Sequence, residues 1–216
     1  MPWPSDLLVP IFRDARDMLM LTWAGVRAPS VAALATAAAL GHGLHQIERA
    51  LSERLETDHD DDMALRLVPG EIERIAEAIN GLVRSCQLMA AEGTTFTACV
   101  MREVNALFER AVELLECTGD LTLTGNRVLA RHVEVESVRF QDLVAEYAQA
   151  HEERIVEGVS RPDSSSAYLG ILDYLRDITR QTRLIARRIG PRPAPGDGPG
   201  AGGEQRHLGQ RGHDHS

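Results

Sequence analysis

An all-α protein is predicted, on three observations. Hydrophobic residues make up 44% of the 216 residues but aromatic residues only 4%, so any core must be built from Leu, Ile, Val, Ala and Met. That composition suits packed helices better than a β-sandwich. Proline and glycine gather at a few junctions and near the C-terminus, leaving long uninterrupted stretches between them. Within those stretches apolar residues recur every three or four positions, the rhythm of a helix with one buried face.

The elements follow in order. A first helix runs from about Asp6, a plausible N-cap, to Trp23, with Pro10 interrupting its first turns; Leu8, Ile11, Phe12, Ala15, Met18, Leu19 and Thr22 form its inner face. A second begins after Pro29-Ser30, is alanine-rich and slim at first, and reaches about Glu56 before an acidic loop from Thr57 to Asp62. A third, Gly70–Glu92, starts after Pro69 and places Ile72, Ile75, Ile79, Leu82, Cys86 and Met89 at near-heptad spacing. Gly93 ends it, with Thr94 and Thr95 as candidate caps for the next helix. The fourth, about Thr97 to Thr118, carries Val100, Val104, Leu107, Ala111, Leu114 and Thr118, and a connector over Gly119 to Asn126 follows. The fifth runs from about Arg127 to Val159 with Phe140, Val144, Tyr147, His151 and Ile155 as its seam. After a turn at Arg161-Pro162-Asp163-Ser164, the sixth reaches Ile189 on Tyr168, Ile171, Leu175, Ile178, Thr182, Ile185 and Ile189.

Order and length divide the six helices into two sets of three, residues 5–93 and 94–189 of a helical domain spanning 1–189. Residues 190–216 are rich in proline and glycine and lack the apolar content to offset ordering entropy, so a disordered tail is expected there.

A net charge of −9 argues against a nucleic-acid partner, which calls for a basic surface. All 23 basic residues are arginine, which excludes lysine nucleophiles and Schiff bases. Cys86, Cys99 and Cys117 form no CxxC pair and read as three buried thiols of a reducing compartment. No basic n-region opens the chain, and Arg27 and Pro29 break the most apolar stretch, Met18 to Leu44, short of the ~20 residues of a membrane span. A cytoplasmic protein, peripheral to a membrane at most, is expected. No HExxH, GxSxG, GxGxxG or P-loop pattern occurs, so no enzyme is predicted.

Two stretches carry a family resemblance. One is His151-Glu-Glu-Arg154-Ile155-Val-Glu-Gly158 followed by Ser165-Ser166-Ala-Tyr168-Leu-Gly-Ile171-Leu-Asp173-Tyr-Leu175-Arg176-Asp177-Ile178; the other is Glu71-Ile72-Glu73-Arg74-Ile75-Ala76-Glu77. The first resembles the cytoplasmic PhoU-like domain of bacterial sodium/phosphate cotransporters, and the second is similar to the Leu-Glu-Arg-Ile-Gly-Asp signature closing each PhoU repeat. The resemblance implies two pseudo-repeated three-helix bundles that regulate phosphate uptake or signalling as an adaptor. A phosphate transporter or a phosphate-sensing histidine kinase would be the partner, met through Arg176, Asp177 and Arg180. Whether the chain forms a homodimer stays open.

The resemblance also implies metal, iron or zinc, held by Glu-x-x-x-Asp motifs. Carboxylates at i and i+4 lie one above the other on a helix and can share a cation. Glu73 and Glu77 have that spacing; the bland alternative is a solvated flank beside Arg74. In the second set the motif positions fall on Arg176 and Arg180, or near Thr179 and Arg183, and arginine cannot ligate a metal. Asp173 and Asp177 form an i,i+4 pair in another register, and with Arg176 they read first as an exposed ion-pair ladder or an interface to a partner. A metal-binding bundle, or an oligomeric scaffold unrelated to phosphate, is the competing function. His151, on the seam beside Tyr147, is expected to be a buried histidine hydrogen-bonded to a neighbouring helix. His42 and His45 near Glu48 lack the partners a di-iron centre requires, and the run Asp58–Asp62 lacks EF-hand spacing.

Overall fold

The computed structural model describes residues 5–28, 30–57, 65–158 and 162–190. Six α-helices occupy nearly all of them: α1 (Ser5–Arg27), α2 (Val31–Thr57), α3 (Val68–Glu92), α4 (Ala98–Thr124), α5 (Arg127–Val156) and α6 (Pro162–Ile189). A single 3₁₀ turn, Leu65–Leu67, leads into α3, and no strand occurs among the described residues. No helix among them is long and apolar enough to cross a membrane. The acidic run 58–62, Arg161 and the proline- and glycine-rich stretch 191–216 lie outside the described residues, whereas residues 162–164, expected as the rest of the turn at Arg161, already form the first turn of α6.

The helix ends show which local signals won. Pro10 lies inside α1, which begins at Ser5, so Asp6 is a first-turn residue rather than the cap. Proline there removes the bond its N–H would otherwise give to the Asp6 carbonyl, a cost the helix carries in its second turn. Ser30 accepts a bond from the backbone of Ala33 ahead of α2. The cap of α4 is Thr97, whose side chain accepts from Val100 N, and not Thr94 or Thr95. Gly93, at φ 67°, closes α3 and turns the chain. Nor does α4 end near Thr118: it runs through Gly119 to Thr124 and stops at Gly125, with φ 58°. Gly119 serves packing instead, since a Cβ there would stand 3.3 Å from Phe12 Cβ on α1. Asn126 then caps α5 by accepting from Val128 N and Leu129 N. α5 finishes at Val156, short of Val159, followed by a turn at Glu157 and Gly158.

Every inner-face residue expected on α1, α3, α4 and α6 is buried. On α5, Phe140, Val144 and His151 are buried while Tyr147 and Ile155 are half-buried. Threonine is tolerated in these seams because it bonds back one turn: Thr22 to Met18 O, Thr118 to Leu114 O and Thr182 to Ile178 O, at 2.7–2.8 Å. Of the thiols only Cys86 is buried, its pKa pushed up to about 12 by that burial; Cys99 and Cys117 are half-buried, and all three are free. The expectation of three buried thiols fails because Cys99 and Cys117 stand at the flanks of α4's apolar seam.

α1, α2 and α3 pack on one another, as do α5 and α4 on α6, and the two triplets meet where α1 lies on α4 and α3 lies on α6. One continuous apolar core results. At the first contact Trp23 stacks on Phe108 with ring centroids 6.1 Å apart, and its Nε1 donates to Asn105 at 2.7 Å. Each fully buried Leu or Ile contributes roughly 1.5–3 kcal/mol, against about 0–1 kcal/mol for a surface ion pair. The seams, not the charged flanks, hold the bundle together.

Candidate functional site

The charged residues singled out on α6 stand on its outer side. Ile171, Leu175, Ile178 and Thr182 face the core, and Asp173, Arg176, Asp177 and Arg180 are exposed between them. Arg176 bonds Asp173 one turn away at 2.8 Å, one rung of the ladder expected over Asp173, Arg176 and Asp177. Gln141 of α5 ties this stretch down by donating to Thr179 Oγ1 at 3.0 Å and to the Arg176 carbonyl at 3.1 Å. Arg176, Asp177 and Arg180 are thus displayed on a stretch of α6 that is tied to α5.

Glu73 and Glu77 are both exposed on α3. Glu73 borders an open cleft of about 370 Å³ between α2 and the start of α3, with Glu48, Ser52 and Arg66 as the other polar groups on its wall. Glu77 does not reach it. No group of three or more His, Cys, Asp or Glu side chains able to hold a metal forms among the described residues, around either Glu73 and Glu77 or Asp173 and Asp177. His42 bonds its own helix at Ala38 O, 3.2 Å away, and His45 Nε2 pairs with Asn80 of α3 at 3.3 Å, so the two do not converge with Glu48.

The densest polar cluster lies elsewhere, where α4, α5 and α6 meet. Arg154 of α5 donates from both Nη atoms to the two carboxylate oxygens of Glu103 on α4, at 2.8 and 2.9 Å. Tyr168 of α6, wholly buried, donates its hydroxyl to Glu103 Oε2 at 2.6 Å. Cys99, one turn before Glu103, stands 3.9 Å from Glu103 Oε1 and 4.0 Å from Arg154 Nη1. Burial and the acceptor Glu103 both push the Tyr168 phenol far up, so it stays a donor. Burial works against the charge on Arg154, but the hydrogen bonds and charge of Glu103 outweigh it and hold the guanidinium above its ordinary value.

His151 completes this cluster, and here the expectation needs correction. The ring is buried as predicted, lying 4.5 Å from the Tyr168 ring, but neither nitrogen has a hydrogen-bond partner among the described residues. Its environment is aromatic and apolar on one side and already saturated on the other, because Glu103 is occupied by Arg154 and Tyr168. Burial lowers the imidazole's pKa, and the nearby Arg154 charge lowers it further.

Sequence reasoning singled out His151, Arg154 and Tyr168 but not Glu103. A signal was present: Glu103 sits between Val100, Val104 and Leu107 on the seam side of α4, and a buried tyrosine asks for an acceptor. A second ion pair was also missed, Glu71 of α3 with Arg188 of α6, where Glu71 Oε1 takes two bonds at 2.7 Å.

Compared with protein-family models, curated proteins and solved structures, the chain matches none.

Proposed function

We propose that this chain is a PhoU-like regulatory domain of two related three-helix units, acting in phosphate uptake or phosphate signalling without catalysis of its own. It docks on a phosphate transporter or a phosphate-sensing histidine kinase in the cytoplasm. The observation that carries the reading is how the triplets meet: α1 lies on α4 and α3 on α6, so helices of equal rank in the two units pair with each other. Two related units joined face to face about a local two-fold axis would pair in this way. The residues behind the resemblance add support, since His151, Arg154 and Tyr168 gather at one packed junction, which is what a structural motif does. Function then falls to the outer faces, and the exposed Arg176, Asp177 and Arg180 form the docking surface.

Deleting the gene and following a phosphate-starvation reporter tests the proposal. Wild-type chain should restore the response; Arg176→Glu/Arg180→Glu, with its helical content intact, should not. A response unchanged by deletion, in limiting and in replete phosphate, overturns the reading. Iron or zinc on Glu73 and Glu77, or on Asp173 and Asp177, would need further donors beyond the described residues. Stoichiometric metal in untagged protein, lost in Glu73→Ala/Glu77→Ala, would favour the metal-binding alternative.

A further inference from the structure

The His151 seat is unusual in what surrounds it. The side chain is 1% exposed, and both ring nitrogens lack partners among the described residues. Among the described residues, the titratable and charged groups that face it are Glu103 and Cys99 from α4, Tyr168 from α6, and Glu152 and Arg154 from its own helix. A protonated imidazole carries two N–H donors and a charge, and a buried charge needs a hydrogen-bonded counter-ion. Glu103 is the carboxylate within the cluster, and its capacity is spent. Oε2 accepts from Arg154 Nη2 and from the Tyr168 hydroxyl; Oε1 accepts from Arg154 Nη1 and has the Cys99 thiol beside it. With two lone pairs on each oxygen, imidazolium can reach Glu103 only by displacing a donor already seated there: Arg154, Tyr168 or the Cys99 thiol. Glu152, on the exposed side of α5, cannot turn inward without burying its own charge.

We propose that the His151–Tyr168–Glu103–Arg154 cluster is an acid-sensitive latch, in which protonation of His151 releases the last turns of α5 and the first turns of α6 from α4. Closed, the neutral ring fills the space against Tyr168. Protonated, it gains hydration only when the helices part. The released segments are the end of α5 around His151 and the start of α6 around Tyr168, two turns before Arg176 on the same helix. The latch is independent of any role in phosphate uptake.

The direction of the pH effect follows from the environment. In the open state the imidazole titrates near its ordinary value of about 6.5; in the closed state burial and Arg154 hold it lower. The closed form is therefore fully favoured above about 6.5, and opening gains ground as pH falls from there toward the closed-state value. One proton taken up on opening makes the opening constant rise about tenfold per pH unit within that window.

Hydrogen exchange of the full chain between pH 7.5 and 5, corrected for intrinsic exchange rates, reads this directly. Amides at 147–156 and 166–172 should lose protection about tenfold per pH unit below pH 6.5, while those at the middle of α3 should not. His151→Phe keeps a ring against Tyr168 and removes the proton, so it should abolish the slope. An equal slope in His151→Phe, or no slope in the wild type, overturns the latch. If His151→Phe fails to fold, ring-carbon NMR of the wild-type histidine decides. His151 titrating near 6.5 with unchanged helix protection would then sink the idea, and titration below that value together with loss of protection would support it.

Discussion

Arg154 grips Glu103 with both Nη atoms across the α4–α5 junction, and the two side chains are only 18% and 12% exposed. A bidentate pair so far from solvent is costly to break on one side, because the survivor keeps its charge without a counter-ion. Arg154→Met is expected to lower stability by about 3 kcal/mol, while Arg154→Met/Glu103→Leu loses less than the sum of the two single changes. Urea unfolding of the four proteins checks this. A loss below about 1 kcal/mol for Arg154→Met would mean the pair behaves like a solvated surface bridge.

The bundle was legible from its apolar rhythm because burial in a helix is periodic, and α1, α3, α4 and α6 buried the residues their seams named. The exposed ladder of Asp173 and Arg176 was legible for the complementary reason, since those residues fall between seam positions. Helix ends read less well. Gly119 looked like a terminator, yet its lack of a side chain admits Phe12 of α1, a cause that lies more than a hundred residues away in the chain. Pairings across the bundle were least legible: Glu103 finds Arg154 and Tyr168 at separations of 51 and 65 residues, and local pattern carries no information about them. The same blindness led to an expected hydrogen bond for His151, since its seam position announced burial but not that Glu103 beside it is already bonded by Arg154 and Tyr168.

Gly81 of α3 lies under Tyr174 of α6, and a Cβ at that position would stand 2.7 Å from Tyr174 Cζ. Alanine in a helix interior is ordinarily favoured over glycine by about 1 kcal/mol. Overpacking at this crossing costs more, roughly 1–3 kcal/mol. Gly81→Ala is therefore expected to destabilise by about 1 kcal/mol in the wild type. In a Tyr174→Leu background the clash is gone and the same change should stabilise by about 0.5–1 kcal/mol. The reversal of sign, measured by thermal and urea unfolding, is the test; the same sign in both backgrounds would show that α3 and α6 do not meet at this point.

Glu71 and Arg188 join α3 to α6 on unequal terms. Arg188 bonds Glu71 Oε1 twice, whereas Oε2 is buried with no partner among the described residues. Burial raises the Glu71 pKa, and the hydrogen bond and charge of Arg188 only partly oppose it. The folded state thus holds this proton more tightly than the unfolded chain, so the contribution to stability is complete below about 4.3 and is lost as pH rises through the folded value. At pH 7 the ionised carboxylate is a cost that Arg188 moderates. Two outcomes follow. Glu71→Gln should gain on the wild type as pH is raised from 4.5 to 7, because the amide avoids that cost. Arg188→Ala should destabilise by about 2 kcal/mol at pH 7, and by less at pH 4.5, where Glu71 can take up a proton. Urea unfolding of the three proteins at both values separates this behaviour from that of the exposed carboxylates, which shift all three alike. Should Glu71→Gln lose stability relative to the wild type as pH rises, Arg188 outweighs burial and Glu71 is a net stabilising charge.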